Sequence, residues 1–125
     1  ARKDERYCPL CQRESELLKE EFEHFSIRLN KFSYEIWDHC EVEEHLMIIP
    51  KRHLKDFLEF SGEESKEYFE ILKEYSKKGY DSFTRSVSSK VRTQAHIHTH
   101  LIKTRGERIK TLIYRKEWGY IETEF

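Results

Sequence analysis

His96-Ile-His98-Thr-His100 places three imidazoles at alternate positions. Side chains along a strand alternate between faces, so on a strand all three rings would share one side. Three titratable rings in a row are a poor way to build a core, and Ile97 and Thr99, with the mid-chain position, argue against a purification tag. The stripe could simply face solvent. It could bind metal, because alternate histidines on a strand are good zinc ligands. It could also do phosphoryl chemistry. A neutral imidazole nitrogen attacks phosphorus when a carbonyl or second ring holds its other nitrogen in one tautomer. Neighbouring rings then donate to the phosphate oxygens and the leaving group. A second chemical signal is Cys8-Pro-Leu-Cys11. In a neutral chain with three cysteines, a Cys-x-x-Cys pair points to metal binding and a reducing compartment rather than a disulfide framework.

These groups sit in a chain of 125 residues, enough for one domain with a single modest core. Aromatic residues make up 14% and charged residues 38%, so a few bulky apolar side chains must serve a heavily solvated surface. That is a globular composition, well away from disorder. With 23 basic and 24 acidic residues the net charge is −1, which excludes a chain that coats nucleic acid or a membrane through its global field. Any nucleotide contact must come from a local site. No apolar run approaches a membrane span, and the start, ARKDERYCPLC, lacks the apolar stretch of a secretory signal. The expectation is a cytoplasmic protein with no membrane partner and no extended nucleic-acid groove.

The chemical groups need elements to position them. Glu14 to about His24 carries Leu17, Leu18 and Phe22 at helical spacing with acidic residues opposite, which predicts a first helix. Phe25, Ile27 and Leu29 alternate with Ser26, Arg28 and Asn30 as a half-buried strand. Phe32, Tyr34 and Ile36 alternate with Ser33, Glu35 and Trp37 as a second strand across an Asn30-Lys31 turn. His45-Leu-Met-Ile-Ile-Pro50 reads as a buried strand closed by proline. Ser61-Gly-Glu-Glu64 is a capping box that opens a helix with Tyr68, Phe69, Ile71, Leu72 and Tyr75 toward the core and Gly79 as its stop. Strands around Gln94–Lys103 and Lys110–Tyr114 follow, joined across Gly106. The predicted architecture is one α+β domain over 1–125 that includes the Cys-x-x-Cys segment at about 7–13. Two main helices pack on a meandering, mostly antiparallel sheet.

Alternating histidines followed by Leu101-Ile102 resemble the His-x-His-x-His-x-x signature of the histidine-triad (HIT) nucleotide hydrolases and transferases. His45-Leu-Met-Ile-Ile-Pro-Lys-Arg-His53 is similar to that family's His-x-Leu-Val-Ile-Pro-Lys-x-His stretch. Cys8-Pro-Leu-Cys11 resembles the opening of its zinc-containing branch, and the matches run in the family's order from residue 8 to residue 102. The resemblance implies that His98 is the nucleophile and forms a nucleotidyl-histidine. It implies that His100 binds the phosphate and assists the leaving group, and that His45 supports the array from a neighbouring strand. Asp38 stands about where the family places the group that binds the ribose hydroxyls. The resemblance further implies Cys8, Cys11, His53 and His96 as ligands of a structural Zn²⁺. Two thiolates with two imidazoles suit that tetrahedral ion and leave no open position. A homodimer is also implied.

Two departures bear on substrate choice and rate. Val91-Arg92 stands where the family commonly has Gly-Gln, and Lys103 where it commonly has Pro. An arginine near the phosphates can hold negative charge bidentately, so Arg92 is a candidate substrate contact. Ser86, Ser88 and Ser89 could offer hydroxyls, Ser89 being carried as a second candidate, although a serine-rich turn is more often only a turn. His24 and His39 read as surface residues, Cys40 as a small buried or edge residue, and Phe32, Tyr34 and Trp37 as core before base-stacking rings. Lys51-Arg52 and the basic stretch Lys103–Lys110 read as solvated edges.

The leading function is transfer or hydrolysis of a nucleoside monophosphate from a phosphoramidate, an adenylate or a dinucleoside polyphosphate, through His98. Two alternatives remain: a binding module for nucleotides or nucleic-acid ends with little turnover, and a hydrolase that uses the triad as metal ligands. Label trapped on histidine after one turnover separates the three.

Overall fold

The computed structural model describes residues 8, 10, 11, 17–90, 92, 95–108, 111–116 and 119–124, with side chains described as far as residue 106. The elements in chain order are β1 (Leu18–Glu21), β2 (Phe25–Leu29), β3 (Ile36–Trp37), β4 (Cys40–Pro50) and α1 (Gly62–Lys77). They continue as β5 (Asp81–Thr84), β6 (Thr99–Arg108), β7 (Thr111–Lys116) and β8 (Gly119–Glu124). The main sheet runs β1-β2-β4-β6-β5 with β3 also paired to β4, and β7 and β8 pair with each other as a separate hairpin. Every described pairing is antiparallel, so the expected α+β architecture with an antiparallel sheet holds. Among the described residues no helix is long and apolar enough to cross a membrane.

Register sorts the chemistry from the core. Residues opposite one another in antiparallel strands share a face. Ile27 lies opposite Ile48, Leu46 opposite Leu101 and Thr84 opposite Thr99, and this face carries the packing against α1. Tyr68, Ile71 and Tyr75 of the helix meet Phe25, Ile27, Leu46, Ile48 and Leu101 there, and the Tyr68 hydroxyl reaches Thr99 Oγ1 at 2.7 Å. On the opposite face Arg28 pairs with Met47, Met47 with His100 and His100 with Phe83. One face therefore packs under α1, and the other carries His45 and His100.

Helix α1 forms where its local signals put it. Ser61 Oγ accepts from the Glu64 amide at 3.1 Å, and the Glu64 carboxylate accepts from the Ser61 amide at 2.8 Å. Gly79 takes the left-handed conformation just past the end, at φ +91°. Glu64 is buried and takes two short hydrogen bonds from Arg52, Nε at 2.9 Å and Nη2 at 2.6 Å. That pairing and the cap hold its carboxyl down at about 2 against burial, which pushes the other way. Arg52 is thus an anchor for the helix start rather than a solvated edge. Ser61→Ala should cost about 1 kcal/mol, as loss of an N-cap does, read as a lower urea midpoint at unchanged slope. An unchanged midpoint would show that Arg52 and Glu64 suffice to hold the helix start.

Four expectations fail for tertiary reasons. Among the described residues there is one α-helix where two were expected, because Leu18–Glu21 adds to the β2 edge as strand β1; residues 14–16 lie outside the described residues. Two of its polar residues reach across to other elements: Glu20 accepts from the Tyr75 hydroxyl at 2.8 Å, and Lys19 pairs with Glu44 at 2.8 Å. The Phe32–Trp37 strand shrinks to Ile36–Trp37, because the chain before it wraps around His45. There Asn30 donates its amide to the His45 carbonyl, Asn30 Oδ1 caps the Phe32 amide, and the Tyr34 amide donates to His45 Nδ1. Phe69, expected in the core face, is 61% exposed. Gly106 does not join two strands. It lies inside β6 at φ +86°, where three residues of β6 between Thr104 and Arg108 stand against the single residue of β4 between Val42 and Cys40, and it supplies the left-handed residue of that bulge.

Candidate active site and metal cluster

The three alternating histidines do not share one environment. Strand β6 begins only at Thr99, so His96 and His98 precede it and the common strand face fails for His96. Two non-local contacts take that segment out of strand geometry: the Ile97 amide donates to the Leu54 carbonyl at 2.6 Å, and His96 Nε2–H donates to the Pro50 carbonyl at 2.9 Å. His96 and His53 are thereby brought side by side, with ring centroids 4.9 Å apart.

These two rings meet the Cys-x-x-Cys turn, which closes on itself as the Cys11 amide donates to the Cys8 carbonyl at 3.1 Å. Cys11 Sγ lies 3.0 Å from His53 Nδ1 and 3.3 Å from His96 Nδ1, and Cys8 Sγ lies 3.6 Å from His96 Nδ1. The four ligand atoms of Cys8, Cys11, His53 and His96 all lie within 4.8 Å of one another, and the set could hold a metal ion. The donor chemistry fits. Because Nε2 of His96 donates to Pro50, its Nδ1 is the unprotonated nitrogen and faces the sulfurs. Burial pushes this imidazole down to about 4, which keeps it neutral as a ligand must be. Arg28 was missed by the sequence reading, since in an alternating strand it looks like an ordinary outward polar residue. It is buried, and its Nη2 donates to the Leu10 carbonyl at 2.8 Å, tying the cysteine turn to β2.

His98, His100 and His45 form a second group. His100 and His45 are 6% and 2% exposed, whereas His98 is half-buried and is the accessible ring of the three. Backbone donors settle the proton positions. The Tyr34 amide must donate, so His45 Nδ1 accepts at 3.1 Å and its proton sits on Nε2. That Nε2–H donates to His100 Nδ1 at 2.8 Å, which leaves His100 with its proton on Nε2. The Asn30 amide nitrogen lies farther from His45 Nε2, at 3.3 Å. His98 Nδ1–H donates to the His96 carbonyl at 3.1 Å, which frees the Nε2 lone pair. The relay therefore ends in a donor on His100 beside an unprotonated nitrogen on His98, with ring centroids 4.9 Å apart.

Burial lowers all three imidazoles: His45 to about 4, His100 to about 3, and His98 below the usual histidine range. An imidazole titrating lower folded than unfolded binds fewer protons in the native state. Its stabilisation is complete above the unfolded value of roughly 6.5 and is lost as pH falls toward the folded values. The unfolding free energy read from urea titration should therefore drop between pH 7 and pH 5, by up to about 1.4 kcal/mol per pH unit for each ring. His45→Gln should flatten that slope at fixed metal content; an identical slope would remove His45 from the account.

A stack of flat rings backs the array. Phe83 lies 4.4 Å from His100 at 11°, and Trp37 lies 4.8 Å from Phe83 at 6°. Tyr34 sits against His45 at 4.6 Å. Phe83 escaped the sequence reading because β5 is too short to show a period. Asp38 lies at the other end of the stack, beside Trp37. With His39 it forms the two-residue turn between β3 and β4, both at positive φ (53° and 64°), and its side chain is exposed. Hairpin turns of this kind accept Asp for backbone reasons alone. Arg92 spends Nη2 on the Lys55 and Ala95 carbonyls, at 2.7 and 2.6 Å, bracing the segment before His96, while its charge still acts on His98. Ser89 lies in a turn, with its amide donating to Ser86 and its carbonyl accepting from the Arg92 amide. No described contact brings Asp38 to the histidines.

No protein-family model and no curated protein matches this sequence. Among solved structures, a HIT family hydrolase from Legionella pneumophila matches with a TM-score of 0.55 at 20% identity, over 81% of this chain and 94% of that one. A HIT family hydrolase from Clostridium thermocellum matches with a TM-score of 0.53 at 21% identity, over 74% of this chain and 84% of that one. An array of tautomer-ordered histidines on the face of an antiparallel sheet opposite its helix is thus set in the fold of the HIT family hydrolases.

Proposed function

We propose that the protein cleaves nucleotide-containing substrates at the α-phosphate, passing through a nucleotidyl-His98 intermediate. The observation that carries this reading is the hydrogen bond from His98 Nδ1–H to the His96 carbonyl, 3.1 Å, on the accessible ring of a buried array. It points a lone pair outward from Nε2 without any change of tautomer. In the proposed step the Nε2–P bond forms as the bond from phosphorus to the leaving group breaks. The imidazole gains positive charge, which the His96 carbonyl stabilises through Nδ1–H. His100 Nε2–H donates to the phosphate or to the departing atom, which then takes a proton from water. Water cleaves the N–P bond in a second displacement and releases the nucleoside monophosphate. His45 acts through His100, whose donor it orients.

The likeness to the two HIT family hydrolases supports this reading, although at their identity it is a likeness of fold. Asp38, exposed beside Trp37 at the end of the ring stack, would take the ribose hydroxyls, with Arg92 and Ser89 on the phosphate side. The Cys8, Cys11, His53 and His96 set would hold a structural Zn²⁺ that cross-links the N-terminal turn to the two histidine-bearing segments. A homodimer in a cytoplasmic setting belongs to the same reading. The test is a single turnover with an α-labelled adenylate, quenched in base: acid-labile label on His98 is expected. Unlabelled protein that nevertheless binds the nucleotide would favour the binding module.

A further inference from the structure

Arg85 follows β5 directly. Phe83 lies opposite His100 and Thr84 opposite Thr99, so Arg85 stands just past the last described pair, at the end of the sheet where His98 leads into β6. Two contacts hold its guanidinium against the array: Nη2 donates to the Tyr34 hydroxyl at 3.2 Å, and the group lies over the Phe83 ring, 5.2 Å from its centroid. Phe83 in turn is stacked on His100. Among the described residues Arg85 pairs with no carboxylate, unlike Arg52 and Arg105, which are matched to Glu64 and Glu41. A half-buried guanidinium without a carboxylate partner, held over the ring that backs His100, is a site that an anionic ligand can complete.

The count of charges indicates which ligand. Two cations stand at the array: Arg85, held on Tyr34 and Phe83, and Arg92, bonded to the Ala95 carbonyl beside His96. A phosphoramidate or an acyl adenylate brings one negative charge at the scissile phosphate. A polyphosphate chain brings at least one more on the next phosphate. Resting on the reading proposed above, we infer that Arg85 binds the phosphate next to the scissile one, so that the site selects nucleotides with a phosphorylated leaving group over those with an amine or carboxylate leaving group.

The test is calorimetric binding of adenosine and guanosine monophosphates and diphosphates to the metal-loaded wild type, Arg85→Gln and Arg85→Lys. The diphosphate should bind the wild type about 10- to 100-fold more tightly than the monophosphate, the worth of a charge-assisted hydrogen-bonded pair. Arg85→Gln should erase that advantage while leaving monophosphate affinity within about 3-fold, and Arg85→Lys should restore part of it. Equal affinities in the wild type, or an advantage that survives in Arg85→Gln, would overturn the assignment and leave the catalytic reading standing. Failure of every nucleotide to bind the wild type would overturn both. Unchanged melting temperature and metal content in Arg85→Gln would show that a loss of the advantage is not a loss of fold.

Discussion

His98→Asn should lower turnover of an adenylate or phosphoramidate by roughly 10³-fold or more, the scale on which enzymes lose activity when a nucleophile is removed. The expectation is large because the structure offers no substitute. His100 and His45 are buried, and the tautomer chain from the Tyr34 amide puts a proton on Nε2 of each, so neither offers a lone pair there. The free nitrogen of His96 faces the two cysteine sulfurs. An asparagine amide could keep the hydrogen bond to the His96 carbonyl, so the backbone before β6 should stay in place. Nucleotide affinity, metal content and melting temperature should therefore remain near wild type while the chemical step disappears. His100→Ala should behave differently, with residual turnover and weaker phosphate binding. Wild-type rates in His98→Asn on every adenylate and phosphoramidate tried would end the covalent mechanism.

The second large effect concerns the metal cluster. Cys11 Sγ stands between His53 Nδ1 and His96 Nδ1, at 3.0 and 3.3 Å, so Cys11→Ser removes the ligand that touches both rings. Binding of structural zinc by such a set is worth on the order of 10 kcal/mol and is also folding energy. Loss of one thiolate should cost about 3 kcal/mol or more, a fall of roughly 10 °C in melting temperature for a domain of this size. Chelator treatment of the wild type should reproduce the fall, and elemental analysis should give one zinc per chain before it and none after. Arg28→Met should weaken zinc binding without touching a ligand, since Arg28 holds the Leu10 carbonyl between the two cysteines. Wild type purified without chelator and found free of zinc, with a melting temperature indifferent to Cys11→Ser, would sink the assignment.

Much of this site could be read from residue types and order. The histidines, the cysteine pair and His53 announce themselves because few other side chains bind metals or attack phosphorus, and all four proposed ligands come together in the structure. Arg28, Tyr34, Phe83 and Arg85 do not announce themselves. Each belongs to a common type in an unremarkable local pattern, and each matters through a partner that the fold brings to it. Leu18–Glu21 was misread for a related reason: its helical spacing is real, but pairing with β2 outweighs the local preference over so short a segment.

By itself the sequence determined what is encoded within a few residues: the capping box at Ser61, the Gly79 stop, the close of β4 at Pro50 and the presence of three neighbouring imidazoles. Only the tertiary structure decided how those imidazoles divide. Period-two alternation assigns side chains to faces only while the backbone is a strand. At His96 and Ile97 the backbone and ring bond instead to Pro50 and Leu54, more than forty positions earlier in the chain. One ring is drawn to the cysteines, one is buried in a relay with His45, and one is left half-open with its lone pair outward. The partners that make this division are distant in sequence, so no local pattern could carry it.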